Sequence, residues 1–389
     1  MAVTSAPPAL RALVERYDPG VLDAPARGAR VRLEVSGAEA HDVVVDPRGA
    51  RLVEPDGHPQ ALLSADAATW AAIADDVRGG MDAFRSGRLT VRQNLHLGVG
   101  LLAATSGMRQ PGRLEFESVP TRVGRLSTLH AGTGDPVVAL HGLGGTKISF
   151  LPTTAALAGR FRIVAPDLPG SGDSVKPLGA PYDALYFARA VIGLLDALQL
   201  DRVHLIGNSM GGRVALEVAL RHPERVRRLA LLSSSLAWRR ERPWAGVLRL
   251  VRPELGLLQV APRGLVERIV RSLIPGAQSG WAAAGVDEFL RAYQTPRGRA
   301  AFYAAARSIY LEEPEGENGF WPRLRTLGTP ALFVWGRHYR LVPAAFARHV
   351  AEALPNAEHV ELDCGHVPQL ERPRETHAAI ARFFDAADS

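Results

Sequence analysis

The stretch RVHLIGNSMGGRVALE, residues 202–217, joins an apolar run to a segment of helical spacing through one serine that lies between small residues. Gly207, Ser209 and Gly211 form the pattern G-x-S-x-G directly after a predicted strand and directly before a predicted helix. A turn this sharp brings neighbouring backbone too close for a Cβ atom, so glycine is needed on either side. We therefore predict that Ser209 is a nucleophile at a strand-to-helix corner, rather than only the cap of a helix.

The sequence around this corner alternates strands and helices from about residue 125 to the end. Apolar runs such as PVVALHG, RIVAPD, RLALLSSS and ALFVWG are separated by segments of helical period. This alternation favours an α/β fold with a mostly parallel central sheet and helices on both faces. One long interval, rich in Leu, Val, Trp and Pro, interrupts the rhythm, and we predict a helical cap over residues 236–326.

The first part of the chain has a different order of elements. Strand patterns over 29–37 and 41–57 precede a helix over 64–87, a short strand over 88–94 and an apolar closing helix over 95–107. The stretch that follows has two prolines and little periodicity. We therefore predict an α+β domain over residues 1–110, a linker over 111–124 and a second domain over 125–389.

The composition is that of a soluble globular protein of two domains. The chain has 389 residues, of which 47% are hydrophobic and 22% charged. Its single cysteine, Cys364, excludes an internal disulfide and favours a reducing compartment. No signal peptide and no membrane span is recognised, so we expect a cytoplasmic protein without stable membrane insertion. The net charge of +6 is spread along the chain, which argues against a nucleic-acid partner.

Two further motifs supply parts that a nucleophilic serine needs. His366 lies in a glycine-flanked loop after the last predicted strand, and a neutral imidazole there can act as the base. The segment HGLGG, residues 141–145, follows another strand and turns an amide inward. We predict that the backbone N–H groups of Leu143 and Met210 form an oxyanion hole, and that His141 orients this loop.

No metal or cofactor is expected. The predicted substrate-binding residues are Gly142, Asn208 and Val342.

These motifs resemble those of two known families. APDLPGSGDS (165–174), GNSMGG and GHVPQLERP, in this order, resemble the α/β-hydrolase superfamily over residues 125–386. That resemblance implies Ser209 as nucleophile, His366 as base and a helical cap. The element order of residues 5–107, with GGMDAFRSGRLTVRQN within it, resembles sterol carrier protein 2-like (SCP2-like) lipid-binding domains. That second resemblance implies an apolar tunnel.

The acid of a catalytic triad is missing from its usual place. In the family it follows the strand before the last, but WGRHYRLVP (335–343) has Tyr339 there. A phenol remains neutral at pH 7 and cannot stabilise an imidazolium as a carboxylate does. Four explanations stay open: Tyr339 itself holds the base, a Ser–His dyad operates, an introduced change interrupts the triad, or another carboxylate replaces the acid. The candidate carboxylates are Asp363, Glu312, Glu313 and Glu315.

Three functions follow from these observations. The first is a serine esterase that cleaves a carboxylic ester with an apolar acyl or alcohol group, so that its partner is a small ester or a lipid-like substrate. The second is a lipid carrier with a degenerate hydrolase scaffold. The third is a non-hydrolytic enzyme of the same fold that performs C–C cleavage, lyase or cyclase chemistry.

Overall fold

The computed structural model describes two compact units. It covers residues 6–75, 83–84, 86–107, 111–238, 245–250, 252–258, 262, 264–265, 268, 280–338 and 345–386. The N-terminal unit comprises Met1–Glu117 together with Gly276–Arg291, and the C-terminal unit comprises Ser118–Pro275 with Ala292–Ser389. Among the described residues, no helix combines the length and the apolar composition that crossing a bilayer requires.

The N-terminal unit is built on a mixed sheet. Within the described residues, five strands pair in the order β3-β2-β1-β4-β5, with β1 and β4 parallel and the other neighbours antiparallel. The strands are β1 Ala29–Val35, β2 His41–Asp46, β3 Gly49–Val53, β4 Ala61–Ala65 and β5 Thr90–Arg92. The helices are α1 Pro8–Glu15, α2 Ala67–Asp75 and α3 Leu95–Ala104.

The predicted order of strands, helix, short strand and closing helix is confirmed in this unit, with one correction. The helix predicted from residue 64 begins at Ala67, because Ala61–Ala65 forms strand β4 instead. Buried and half-buried residues alternate along β4, which is the period of a strand. Ser64 indicates a helix start in the sequence, but hydrogen bonding of this segment to β1 makes it a strand.

Helix α3 packs tightly within the N-terminal unit through its two glycines. A Cβ atom on Gly98 would lie 2.5 Å from Cγ1 of Val91, and one on Gly100 would lie 2.5 Å from Cδ1 of Leu22. Almost every residue of α3 is buried, as expected for a helix that is apolar on all sides. The glycines therefore allow close packing against two different neighbours.

A helix from far along the chain completes the N-terminal unit. Helix α8, Gly280–Tyr293, carries two buried acids, and its residues up to Arg291 belong to this unit. Asp287 accepts hydrogen bonds from Arg92 Nε (2.6 Å) and from the Gln93 N–H (3.0 Å). Glu288 accepts one from the Leu95 N–H (2.7 Å), at the beginning of α3. The predicted domain of residues 1–110 thus lacks a segment that the unit contains.

The C-terminal unit contains a larger sheet. Within the described residues, eight strands have the order β13-β12-β11-β10-β8-β9-β7-β6; β7 pairs antiparallel with β9, and the pairs from β13 to β9 are parallel. The strands are β6 Glu115–Thr121, β7 Gly124–Ala131, β8 Asp135–Leu140, β9 Phe161–Pro166, β10 Val203–Asn208, β11 Val226–Leu232, β12 Ala331–Gly336 and β13 Glu358–Leu362.

The central strands of this sheet are covered on both faces. Every residue of β10 and of β12 is buried, although successive side chains of a strand point to opposite faces. The helices are α4 Leu151–Leu157, α5 Ala184–Ala197, α6 Met210–Arg221, α7 Ala245–Leu250, α9 Pro296–Tyr310, α10 Phe320–Leu324, α11 Ala345–Ala353, α12 Pro368–Glu371 and α13 Pro373–Asp385. The predicted α/β architecture with a mostly parallel sheet is therefore present in the C-terminal unit.

Two predicted segments differ in detail from the structure. The stretch 111–124, predicted as a linker, contains β6, which lies at the edge of the larger sheet. Its mixed sequence matches an edge strand, where a proline such as Pro120 is tolerated. Between β11 and β12, where a helical cap over 236–326 is predicted, the regular elements of the described residues are helical, but α8 belongs to the N-terminal unit.

We expect Asp287→Ala to destabilise the N-terminal unit, because it leaves the Gln93 N–H and the Arg92 guanidinium without their acceptor. The free energy of unfolding should fall by about 2 kcal/mol. Hydrogen–deuterium exchange of the Gln93 amide should also become faster. The exposed Glu317→Ala variant serves as the control and should change the stability by less than about 0.5 kcal/mol. Unchanged exchange at Gln93 would contradict the role given to Asp287.

Candidate active site

Ser209 lies at the corner between β10 and α6 with a backbone conformation that is rare for serine. Its φ is 53° and its ψ is −117°, so it lies in the region where a Cβ atom is strained. Its N–H donates to the Leu232 carbonyl (3.0 Å), and its side chain is almost fully buried. The backbone thus turns from strand to helix at this single residue.

Close approach of the backbone explains both glycines of the motif. A Cβ atom on Gly207 would lie 2.5 Å from the Gly212 Cα atom, and one on Gly211 would lie 2.0 Å from the Leu140 carbonyl oxygen. Backbone atoms cannot move aside as a flexible side chain can. The G-x-S-x-G spacing is therefore a steric requirement of this corner.

The loop after β8 lies against Ser209. A Cβ atom on Gly142 would be 3.1 Å from the Ser209 Cβ atom, so this glycine allows the two segments to touch. Leu143 follows it, with a partly exposed side chain. Met210 is the first residue of α6, where N–H groups have no partner within the helix. The segments predicted to form the oxyanion hole therefore adjoin Ser209.

His141 has a structural role, as predicted. Its Nε2 accepts the Leu168 N–H (2.9 Å), which leaves the ring proton on Nδ1 to be donated to the Gly142 carbonyl (2.8 Å). Burial lowers the pKa of His141, so the ring is neutral at pH 7. Both ring nitrogens are occupied, and the side chain joins the loops that follow β8 and β9.

A buried ion pair joins the same two loops. Lys147 Nζ donates to Asp167 Oδ2 (2.7 Å), and the Lys147 N–H donates to Asp167 Oδ1 (2.7 Å). Both side chains are fully buried. Burial opposes ionisation of Asp167, but the ammonium group outweighs it and keeps the pKa of this carboxyl below its usual value. The loop after β8, which adjoins Ser209, is thus joined to the loop after β9 by a buried ion pair.

The loop that carries His366 is hydrogen-bonded to Asn208, next to Ser209, and to helix α12, which follows the loop. Asn208 Nδ2 donates to the carbonyl oxygens of His366 (3.1 Å) and Leu232 (3.0 Å). The Glu371 carboxylate accepts the N–H groups of Gly365 (2.6 Å) and Val367 (2.9 Å), which flank the histidine. Asn208, predicted to bind substrate, therefore uses its amide to hold the histidine loop.

The environment of His366 favours a neutral imidazole. Burial lowers its pKa to about 4 from the ordinary 6.5. A neutral ring can accept a proton, as a general base must. The pKa therefore supports the predicted chemistry of this residue at pH 7.

The hydroxyl of Ser209 has a neighbour that the sequence analysis did not identify. Its Oγ lies 3.3 Å from Ser235 Oγ, and in the described part of the chain its hydrogen bond is with this serine and not with His366. Ser235 belongs to a run of three serines directly after β11, where the sequence contains no carboxylate. The signal was available, since the carboxyl ends of neighbouring parallel strands meet at one edge of a sheet.

Two of the candidate replacement acids bind other cations. Asp363 is more than half exposed and lies 2.6 Å from His338 Nε2 and 3.3 Å from Arg372 Nη2. Glu312 accepts from Nε of the buried Arg213 (2.7 Å). Each carboxylate is thus engaged in an ion pair.

The other candidate site residues are exposed or lie outside the described residues. Glu313 and Glu315 are exposed. Tyr339, at the usual position of the acid, and Val342, a predicted substrate-binding residue, lie outside the described part of the chain. Both assignments therefore stay predictions.

Comparison with known proteins gives one family and several relatives. The family model of the alpha/beta hydrolase fold matches residues 135–373. A 2-hydroxymuconate semialdehyde hydrolase of Pseudomonas putida is 30% identical over 286 residues, which is 68% of this chain and 93% of that protein. A bacterial membrane phospholipase A structure is 29% identical, with a TM-score of 0.59 over 70% of this chain and 86% of that one. The 2-hydroxy-6-oxo-6-phenylhexa-2,4-dienoate hydrolase of Rhodococcus sp. strain RHA1 is 25% identical, with a TM-score of 0.58 over 71% and 100%.

We expect Glu371→Gln to loosen the histidine loop, because each carboxylate oxygen accepts one N–H group and an amide has only one oxygen. One of the donors from Gly365 and Val367 would then face an NH₂ group. The free energy of unfolding should fall by about 1–3 kcal/mol, as measured by urea denaturation. Amide exchange at these two residues should increase. The exposed Glu375→Gln variant is the control, because the Glu375 side chain does not accept either of these N–H groups; stability and exchange should stay close to those of the unsubstituted protein. Equal exchange in the two variants would refute this role of Glu371.

Proposed function

Because the chain belongs to the α/β-hydrolase fold family, we propose that it is a serine hydrolase in which Ser209 attacks a carbonyl carbon and His366 is the base. The observation that carries this proposal is the strained corner at Ser209, whose φ of 53° holds the serine between β10 and α6. A serine that serves only as a helix cap does not need that strain. Strain of this kind concentrates at functional sites.

The proposed reaction has two steps. His366 takes the proton of Ser209 while Oγ bonds to the carbonyl carbon, and the oxyanion is held by the N–H groups of Met210 and Leu143. The intermediate collapses, and the leaving group departs with the proton from the imidazolium. Water then attacks the acyl-enzyme with His366 again as base, and Ser209 is released. Gly142 lets the loop after β8 approach Ser209 closely, since a Cβ atom there would lie 3.1 Å from the Ser209 Cβ atom.

We propose a carboxylic ester with an apolar acyl or alcohol group as the substrate. Several leucines between β11 and β12 expose more than half of their side-chain surface: Leu250, Leu255, Leu258 and Leu265. Exposed apolar side chains grouped in one segment are typical of surfaces that contact apolar ligands. Similarity to a membrane phospholipase A is compatible with this substrate class.

A second candidate reaction is hydrolysis of a carbon–carbon bond next to a carbonyl group. It is favoured by the similarity to the 2-hydroxymuconate semialdehyde hydrolase and the phenylhexadienoate hydrolase, whose names describe substrates that are not esters. The same nucleophile and oxyanion hole would serve, because both reactions pass through attack on a carbonyl group. The two candidates differ in the group that leaves.

The N-terminal unit is proposed to be an SCP2-like lipid-binding domain. Its order of strands and helices and its wholly apolar helix α3 support this proposal. The close packing at Gly98 and Gly100 leaves no cavity on those two sides of α3. Organic extraction of the purified chain tests the proposal, because a carrier should release a stoichiometric lipid.

Hydrolysis of nitrophenyl esters of increasing chain length tests the proposed function. We expect Ser209-dependent release of nitrophenol and covalent labelling of Ser209 by a fluorophosphonate, both abolished in Ser209→Ala. The buried Ser234→Ala variant is the control and should keep both. A 2-hydroxy-6-oxo-dienoate, followed by its loss of absorbance, serves as the rival substrate. Turnover of the dienoate alone would favour C–C hydrolysis, and no labelling of Ser209 would end the proposal.

We expect the acid limb of kcat/KM to lie at unusually low pH. The free-enzyme pKa of His366, lowered by burial to about 4, means that the imidazole stays neutral until the pH falls to that value. Activity should therefore be level from about pH 7 down to about pH 5 and decline below it. A pH profile of kcat/KM for a nitrophenyl ester measures this. An acid limb near 6.5, the ordinary value of an imidazole, would contradict the lowered pKa of His366.

A further inference from the structure

Ser235 is held beside the nucleophile by backbone as well as by its side chain. Its N–H donates to the Ser209 carbonyl (3.0 Å), while the Ser209 N–H donates to the Leu232 carbonyl (3.0 Å). Strands β10 and β11 run parallel, with Asn208 opposite Leu232 in the register. The two serines therefore follow neighbouring strand ends, and their hydroxyl oxygens lie 3.3 Å apart.

The chemistry of Ser209 fixes the direction of this hydrogen bond during the reaction. A hydroxyl has one proton to donate. If Ser209 gives its proton to His366, it cannot also donate to Ser235. The hydrogen bond that remains is donated by the Ser235 O–H to Ser209 Oγ. Ser235 is thus a donor aimed at the oxygen that forms and breaks the covalent bond.

We propose that Ser235 is a further catalytic residue, which donates a hydrogen bond to Ser209 Oγ and so promotes its departure when the acyl-enzyme is hydrolysed. This inference rests on the proposed serine mechanism. Water adds to the acyl carbon and loses a proton to His366. The bond between carbon and Oγ then breaks, its electron pair passes to Oγ, and Oγ regains a proton from the imidazolium.

The Ser235 hydroxyl keeps its own proton throughout this sequence. Its hydrogen bond strengthens as negative charge collects on the departing Oγ, because bonds to charged acceptors are stronger than bonds to neutral ones. In the acylation step the same donor withdraws electron density from the attacking oxygen. The benefit therefore falls mainly on deacylation, which distinguishes this role from that of a residue that only supports the fold.

The neighbouring Ser234 provides a matched control. Its Oγ lies 1.9 Å from the place that a Cβ atom on Gly212 would occupy, so it packs against helix α6. Its side chain is buried, and its hydroxyl forms no hydrogen bond within the described residues. Removing this hydroxyl deletes a serine oxygen one residue from Ser235 and leaves the Ser209–Ser235 contact intact.

Stopped-flow hydrolysis of nitrophenyl butyrate by the full chain tests the proposal. We expect Ser235→Ala to slow deacylation about tenfold while acylation changes by less than about threefold. A burst of nitrophenol should therefore become larger in this variant. Ser234→Ala should match the unsubstituted protein in both phases. Equal deacylation rates in the two variants would overturn the role of Ser235.

A second pair of variants separates catalysis from folding. Ser235→Thr keeps the hydroxyl, and Ser235→Val has the same shape without it. We expect threonine to restore deacylation and valine to remain slow, at equal thermal midpoints; equal rates in the two would overturn the proposal. Fluorophosphonate labelling of Ser209 distinguishes the two levels of failure. If Ser209 is labelled but Ser235 has no effect, only this inference fails, whereas an unlabelled Ser209 overturns the serine mechanism and this role together.

Discussion

The strained backbone of Ser209 is the constraint on which the active-site geometry depends. A non-glycine residue in such a conformation costs on the order of 1–3 kcal/mol, so the surrounding structure must hold it. The Ser209 carbonyl accepts N–H groups from Gly212 (3.0 Å), Arg213 (3.2 Å) and Ser235 (3.0 Å). Its own N–H bonds to Leu232 of the neighbouring strand. Helix α6 and strand β11 together therefore fix a conformation that the local chain alone would avoid.

Charged and amide groups join the loops around this corner through hydrogen bonds. The Lys147–Asp167 pair joins the two loops after β8 and β9, and Glu371 binds the backbone on either side of His366. Asn208 connects the histidine loop to the corner itself. Buried acids of this kind are satisfied by cations or N–H groups. Their positions help to set where the His366 imidazole and the loop after β8 lie relative to Ser209.

Buried acids also define the N-terminal unit. Asp287 and Glu288 contact the segment that joins β5 to α3. Their carboxylates accept hydrogen bonds from two backbone N–H groups and from one guanidinium there. The carboxylate of Glu288, a residue of α8, accepts the N–H of Leu95 in the first turn of α3. An N–H at that position has no partner within its own helix. A segment that lies inside the hydrolase family match in sequence is therefore part of another compact unit.

The sequence by itself determined the strand-to-helix corner at Ser209, the alternation of strands and helices and the position of His141 within its loop. These features depend on spacing and on glycines between residues close in the chain, so local patterns predict them. Tertiary structure decided which side chains meet: Ser235 with Ser209, Asp287 with Arg92, and Asp363 with His338. Each of these pairs joins separate segments, and its formation depends on strand register and on the path of the chain. A pattern within one segment contains no information about that register, so the sequence alone does not predict that Ser235 lies beside Ser209.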